Sequence, residues 1–226
     1  MGASAFRSAG VDIAPLSKDT LQERVFQNVR ELILDGSIVP GEMVTVQSLA
    51  DAFGVSPMPV REALRRLTAA NALTVVSGRS VGIPPLNVER LTDLRNVRHE
   101  IEAIAAGWAA ERRDDGDLPQ LARHLEAMQA ANAAGDVKSY LRANYAFHFT
   151  IYRAAKSENL LKITEDLWLQ ISPYFNMLHE SGNYSTANAH HAAMFAALRD
   201  RDAEAMREAV HADIDGAYEV LLKLFR

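Results

Sequence analysis

Leu49 to Leu73 runs LADAFGVSPMPVREALRRLTAANAL. Its opening residues finish a short helix that begins near Val46, with Leu49, Ala50 and Phe53 turned inward and Gly54 as the stop. Ser56 then stands as an N-cap. Pro57 takes the first helical position, where a missing N–H costs nothing, and Pro59 still lies inside the first turn. The helix continues to about Ala70. Val60, Ala63, Leu64 and Leu67 share its inner face, while Arg61, Glu62, Arg65 and Arg66 share the outer one. A helix held from behind by apolar residues, with cations on its free side, is suited to entering a groove.

The flanks extend this pattern. Upstream, Leu21 to Asp35 reads as a helix whose stripe is Val25, Val29, Leu32 and Ile33; Gly36 ends it and Pro40-Gly41 turns the chain. Downstream, Leu73-Thr-Val-Val and Val81-Gly-Ile83 bracket Ser77-Gly78-Arg79-Ser80, which reads as a hairpin. Three helices and a hairpin in this order form a winged helix-turn-helix, in which a small core presents one helix to the major groove of DNA and the wing follows the backbone or minor groove. Pro84-Pro85 is a stiff connector closing this unit, and residues 1–17 read as an irregular, flexible tail. Beyond residue 85 the periodicity is helical throughout, with segments expected near 88–113, 118–133, 136–155, 159–179, 185–199 and 201–225, the fourth kinked at Pro173. The expected fold class is mainly α: a winged helix-turn-helix over 18–84, then an all-helical bundle of about six helices over 85–226.

Composition narrows the function classes. The chain has 226 residues, 48% hydrophobic and 23% charged, which is ordinary globular composition. It has no cysteine, so disulfides, thiolate metal sites and cysteine nucleophiles are excluded. The most apolar stretch, Ala103 to Ala110, is interrupted by Gly107 and is far short of the ~20 residues a membrane span needs. With no secretory core at its N-terminus, the chain is expected in the cytoplasm. Residues 1–80 hold 8 Lys/Arg and 8 Asp/Glu, so the net charge of −5 belongs to the remainder. A neutral module with bunched arginines can touch a few phosphates and bind with a moderate salt dependence.

Residues 49–73 resemble the GntR superfamily of bacterial transcription regulators, which favours a leucine-alanine helix, a Gly-Val-Ser turn and a Pro-Val-Arg-Glu-Ala-Leu recognition helix. The resemblance implies double-stranded operator DNA as partner. It places Ser56, Met58 and Arg61 where the family contacts phosphates and base edges, Arg61 being suited to bridging guanine O6 and N7. Gly78 and Arg79 match the wing tip. Arg65 joins this set as a contact, with the alternative that it or Arg66 pairs instead with Glu62. Gln47 and Pro57 stand where relatives often carry arginine, which implies a different operator.

Leu94–Glu102, Asn144–Phe149 and His191–Asp202 are similar to segments of the FadR-type (FCD) effector domain of that superfamily. Many relatives hold a divalent metal there with an Asp, a His four residues on, and two further His. Positions i and i+4 share a helix face, which lets two ligands converge. On this chain the positions fall on Asn144, His148, His191 and Asp213, still two imidazoles and one carboxylate, a set suited to zinc or nickel. The alternative is that His148 and His191 are partly buried polar groups hydrogen-bonded within the pocket. His190, His99, His124 and His179 receive no role. Arg98 matches an arginine near the family's pocket, where with His148 and His191 it would bind an effector such as an organic acid; a pair with Glu102 at i+4 is the alternative. Tyr145, Trp168, Tyr174, Phe175 and Met177 could line that pocket or simply be core.

The resemblance therefore implies a homodimeric repressor whose operator affinity shifts with a small carboxylic acid. An enzyme is not expected. A di-iron bundle needs two Glu-x-x-His pairs and only Glu208 to His211 is present, with no His-Glu-x-x-His, phosphate loop or Gly-x-Ser-x-Gly. A metal hydrolase on His148 and His191, and a winged helix that meets protein, are the readings from other classes.

Overall fold

The computed structural model describes residues 7–8, 11–12, 21–78, 80–179 and 183–225. Two strands, β1 (Arg7–Ser8) and β2 (Val11–Asp12), pair antiparallel within the stretch read as irregular tail, which corrects that reading for these four residues. The first unit then runs α1 (Leu21–Leu34), β3 (Met43–Thr45), α2 (Val46–Phe53), α3 (Pro57–Ala69), β4 (Thr74–Ser77) and β5 (Ser80–Gly82). Val25, Val29 and Ile33 of α1 meet Val60, Leu64 and Leu67 of α3 in its core.

The expected hairpin is there as the antiparallel pair β4–β5, and β3, which the sequence reading lacked, extends it to a three-stranded sheet in the order β3-β5-β4. β3 pairs Met43 with Gly82 and Thr45 with Ser80, and β4 pairs Thr74 with Gly82 before its register shifts between Val75 and Ser77. Thr45 ends β3 and at once caps α2: its side chain accepts from Ser48 N (3.0 Å) while Ser48 Oγ accepts from Thr45 N (3.1 Å). Gly54 then stops α2 in the left-handed region at φ 64°, where a side chain would be strained.

The second unit is helical: α4 (Val88–Arg112), α5 (Asp117–Ala134), α6 (Val137–Ala154), α7 (Glu158–Ile171), α8 (Asn176–His179), α9 (Asn183–Arg199) and α10 (Ala203–Lys223). α4 forms the middle, with α6, α7 and α10 packed on it. Ala105, Ala106, Ala109 and Ala110 keep its inner face small and fully buried. Gly107 admits the Arg207 guanidinium, whose Nε lies 2.7 Å from where a Cβ would stand. Pro173 does more than kink its helix. α7 ends at Ile171, a 3₁₀ turn spans Ser172–Tyr174, and α8 follows as a separate helix, because proline offers no N–H and crowds the preceding turn.

The two units are joined by polar contacts. Arg30 on α1 reaches Glu165 (3.1 Å), Arg142 on α6 reaches Asp35 (2.7 Å), and Asn176 Nδ2 donates to the Gly36 carbonyl (3.1 Å). Gly36 sits at φ 69° with the Asn176 amide in the place a Cβ would need, so both its conformation and its neighbour call for glycine. Tyr174 donates its hydroxyl to the carbonyl of Pro84 in the connector.

Candidate nucleic-acid interface and metal centre

α3 is anchored on one side and free on the other. Val60 and Leu67 are fully buried, whereas Met58 is 66% exposed and Arg61 is exposed with no hydrogen bond or ion pair among the described residues. The other two arginines are committed. Arg65 forks onto Glu62 through Nε (3.1 Å) and Nη2 (2.7 Å), an exposed pair that a phosphate can displace. Arg66 pairs with Glu23 (2.8 Å) and lies 3.6 Å over the Phe26 ring, tying α3 to α1. Gln47 is exposed and donates to Asp51 (2.7 Å), and Gly78 forms the exposed β4–β5 turn. Arg79 lies outside the described residues.

Ser56 holds the N-cap position with extended backbone, yet its side chain makes no cap hydrogen bond. The partners it would serve are the N–H groups of N2 and N3, and Pro59 at N3 has none. With Pro57 also lacking an N–H, the helix start offers Met58 N–H and the uncommitted Ser56 hydroxyl to an anion.

In the bundle, His148 and Asn144 come from α6, His191 from α9 and Asp213 from α10. His148 Nε2 stands 3.1 Å from His191 Nε2, and the Asp213 carboxylate lies 3.6 Å from the first and 3.3 Å from the second. These three form one cluster of ligand atoms within 4.8 Å of one another. Asn144 and Arg98 line the adjoining cavity with Tyr140, Trp168 and Asp213; at about 30 Å³ it has room for roughly two water molecules. Phe175 also lines it, but Tyr145 faces away toward α1, Tyr174 is spent on Pro84, and Met177 is 43% exposed.

A buried hydrogen-bond chain supports the cluster. Glu102 is fully buried and, as a carboxylate, can only accept. It takes Arg98 Nε (2.6 Å) and the Tyr152 hydroxyl (2.5 Å). The Tyr152 proton is thereby used, so its oxygen accepts from His148 Nδ1–H at 3.2 Å. That fixes the His148 tautomer and leaves the Nε2 lone pair facing His191 and Asp213. Arg98 thus follows the alternative reading, the Glu102 pair, while still lining the cavity. Sequence reasoning offers Glu102 only as that partner and gives Tyr152 no role, although the i+4 spacings of Arg98 to Glu102 and His148 to Tyr152 carry the signal for both.

Burial keeps the two imidazoles in their neutral form. Burial, aided by His191 and Arg98, holds His148 well below the ordinary imidazole value, and burial with His190 pushes His191 down to about 3. Both rings are neutral near pH 7, the form that binds metal. Burial pushes Asp213 up to about 7, opposed by Arg98 and reinforced by Glu102. His190 Nδ1, 4.0 Å from Asp213 Oδ1, and His191 Nδ1 are buried with no hydrogen-bond partner among the described residues. Separations of 3.1–3.6 Å between donors suit atoms placed ~2 Å from a common ion, so the residues fit a small divalent cation.

Comparison with known proteins agrees with both halves. A family model described as "Bacterial regulatory proteins, gntR family" matches residues 21–83, and one described as "FCD domain" matches 93–216. The chain is 30% identical over 191 residues to the HTH-type transcriptional regulator McbR of Escherichia coli (strain K12), covering 83% of this chain and 86% of that protein. It is 25% identical over 195 residues to the probable D-xylose utilization operon transcriptional repressor of Paenarthrobacter nicotinovorans, covering 86% of each. The solved structure of E. coli McbR/YncC matches with a TM-score of 0.84 at 27% identity, covering 92% of this chain and 100% of that one.

Proposed function

The chain belongs to the GntR family of bacterial regulatory proteins, with an FCD domain behind its winged helix, and from that premise we propose that it is an operator-binding repressor under effector control. It is a DNA-binding transcriptional regulator by family. The observation that carries the finer reading is the contrast on α3, where Val60 and Leu67 are fully buried and Arg61 stands exposed and unpaired. A guanidinium presented from the first turns of a rigidly seated helix can bridge a guanine edge.

The repressor is a homodimer acting in the cytoplasm. Support for a second copy comes from α4, where exposed Val97 and Ile104 alternate with half-buried Ile101 and Trp108 at the spacing of a helix-helix seam. Two recognition helices then read half-sites about one DNA turn apart. Among the described residues no helix is long and apolar enough to cross a membrane.

His148, His191 and Asp213 would hold a zinc- or nickel-class ion, with Asn144 as a weak fourth donor at the cavity. Such an ion supplies a Lewis-acidic position for a carboxylate. Arg98 stays charged beside Glu102 although burial opposes it, and adds positive potential to the cavity wall. An acid of more than a few atoms enters when lining side chains such as Leu178 and Tyr184 yield. If it prefers one arrangement of the domains, operator affinity shifts by a coupling energy of ~1–3 kcal/mol.

Selection of the full chain against random duplex DNA tests this reading. The expected product is an enriched palindrome with half-sites about one turn apart. Recovery of no enriched sequence contradicts it and favours a winged helix that meets protein.

A further inference from the structure

A second and larger opening lies between the two units. α1 and α6 enclose a cleft of about 480 Å³, against about 30 Å³ for the cavity beside Asp213. Only the former has the ~300–1,000 Å³ of an ordinary small-molecule site. Three arginines line it, Arg30 from α1 with Arg142 and Arg153 from α6, facing the carboxylates of Glu31 and Asp35.

The partners of these groups decide what the cleft can take. Arg142 gives Nη2 to Asp35 (2.7 Å) while its side chain is 67% exposed, so the rest of the guanidinium faces solvent. Arg153 is exposed and makes no ion pair among the described residues; its guanidinium lies 5.8 Å from the Phe149 ring. Tyr145 accepts from Arg30 Nη2 (2.6 Å), and its own hydroxyl proton has no acceptor among the described residues. The Tyr145 hydroxyl stays protonated, because burial raises it above the ordinary phenol value. The cleft is therefore lined by one unpaired cation, one half-used cation and one unused hydroxyl donor, set against the Glu31 carboxylate, which makes no ion pair among the described residues.

We propose that this cleft binds a small organic polyanion carrying two or more carboxylate or phosphate groups, at a site separate from the buried histidine cluster. Arg153 takes one acidic group in fork geometry and Arg142, about 16 Å away along α6, takes another, with Tyr145 donating between them. One wall is α1, the helix against which α3 packs, so occupancy sets the distance between the winged helix and the bundle. The inference does not rest on the effector reading of the histidine cavity.

Isothermal titration of the metal-free full chain with propane-1,2,3-tricarboxylate, and separately with fructose 1,6-bisphosphate, tests it. The expected result is saturable binding of at least one probe, weakened 10-fold or more in Arg153→Ala and several-fold in Tyr145→Phe. Lys223→Ala, a charge-matched control on α10, retains wild-type affinity. Which probe binds identifies the acidic group as carboxylate or phosphate. Failure of both probes to bind overturns the proposal, and so does binding that Arg153→Ala leaves at wild-type strength.

Discussion

Tyr152 is the residue through which the buried cluster is oriented. Its proton goes to Glu102 and its oxygen receives His148 Nδ1–H, so a change that deletes only the hydroxyl releases the imidazole. Tyr152→Phe should lower affinity for zinc or nickel about 10- to 100-fold, as loss of a partner behind a ligand does elsewhere. Competition against a chromophoric chelator would measure it, and a loss under threefold would show that His148 is held by packing alone. Part of this site is legible in the sequence. The i+4 steps from Arg98 to Glu102 and from His148 to Tyr152 are local geometry. The meeting of His148 with His191 and Asp213 is not local, since it depends on how three helices close, and only resemblance to a family pointed to it.

At the scale of elements, the shortest ones leave no trace in the sequence. β3 is three residues long and exists because β5 lies beside it; a run of that length has no period of its own to detect. The extent of α3 was plain from its apolar face, but its start behaves unusually. An N-cap serine replaced by alanine ordinarily costs ~1 kcal/mol. Here Pro59 removes one of the two N–H partners and the Ser56 side chain takes neither, so Ser56→Ala should leave the melting temperature within about 1 °C while weakening operator binding by phosphate loss. A drop of several degrees in a thermal melt would mean the hydroxyl caps after all. On α4, Ile104 lies in the middle of the proposed dimer seam at 40% exposure, and Ile104→Glu should convert that dimer to monomer in sedimentation velocity. An unchanged dimer would place the interface on another face.

For the whole molecule, two domains and their helical character follow from periodicity and from the Pro84-Pro85 break, because those signals lie in neighbouring residues. Their mutual seating does not. Arg30 with Glu165 and Arg142 with Asp35 join residues more than a hundred positions apart, and each is an unremarkable surface charge until the chain is folded. The same contacts bound the interdomain cleft, which had no sequence signature. Whatever arrangement they hold, regulation works only if the outward face of α3 reads bases, and one comparison tests that claim directly. Fluorescence anisotropy on the selected operator and on a scrambled duplex, at one salt concentration, would compare wild type with Arg61→Ala. The ratio of specific to non-specific affinity should fall about 10- to 100-fold in the variant with its thermal stability unchanged, the loss of one bidentate base contact. An Arg61→Ala protein that keeps the wild-type ratio would contradict the account.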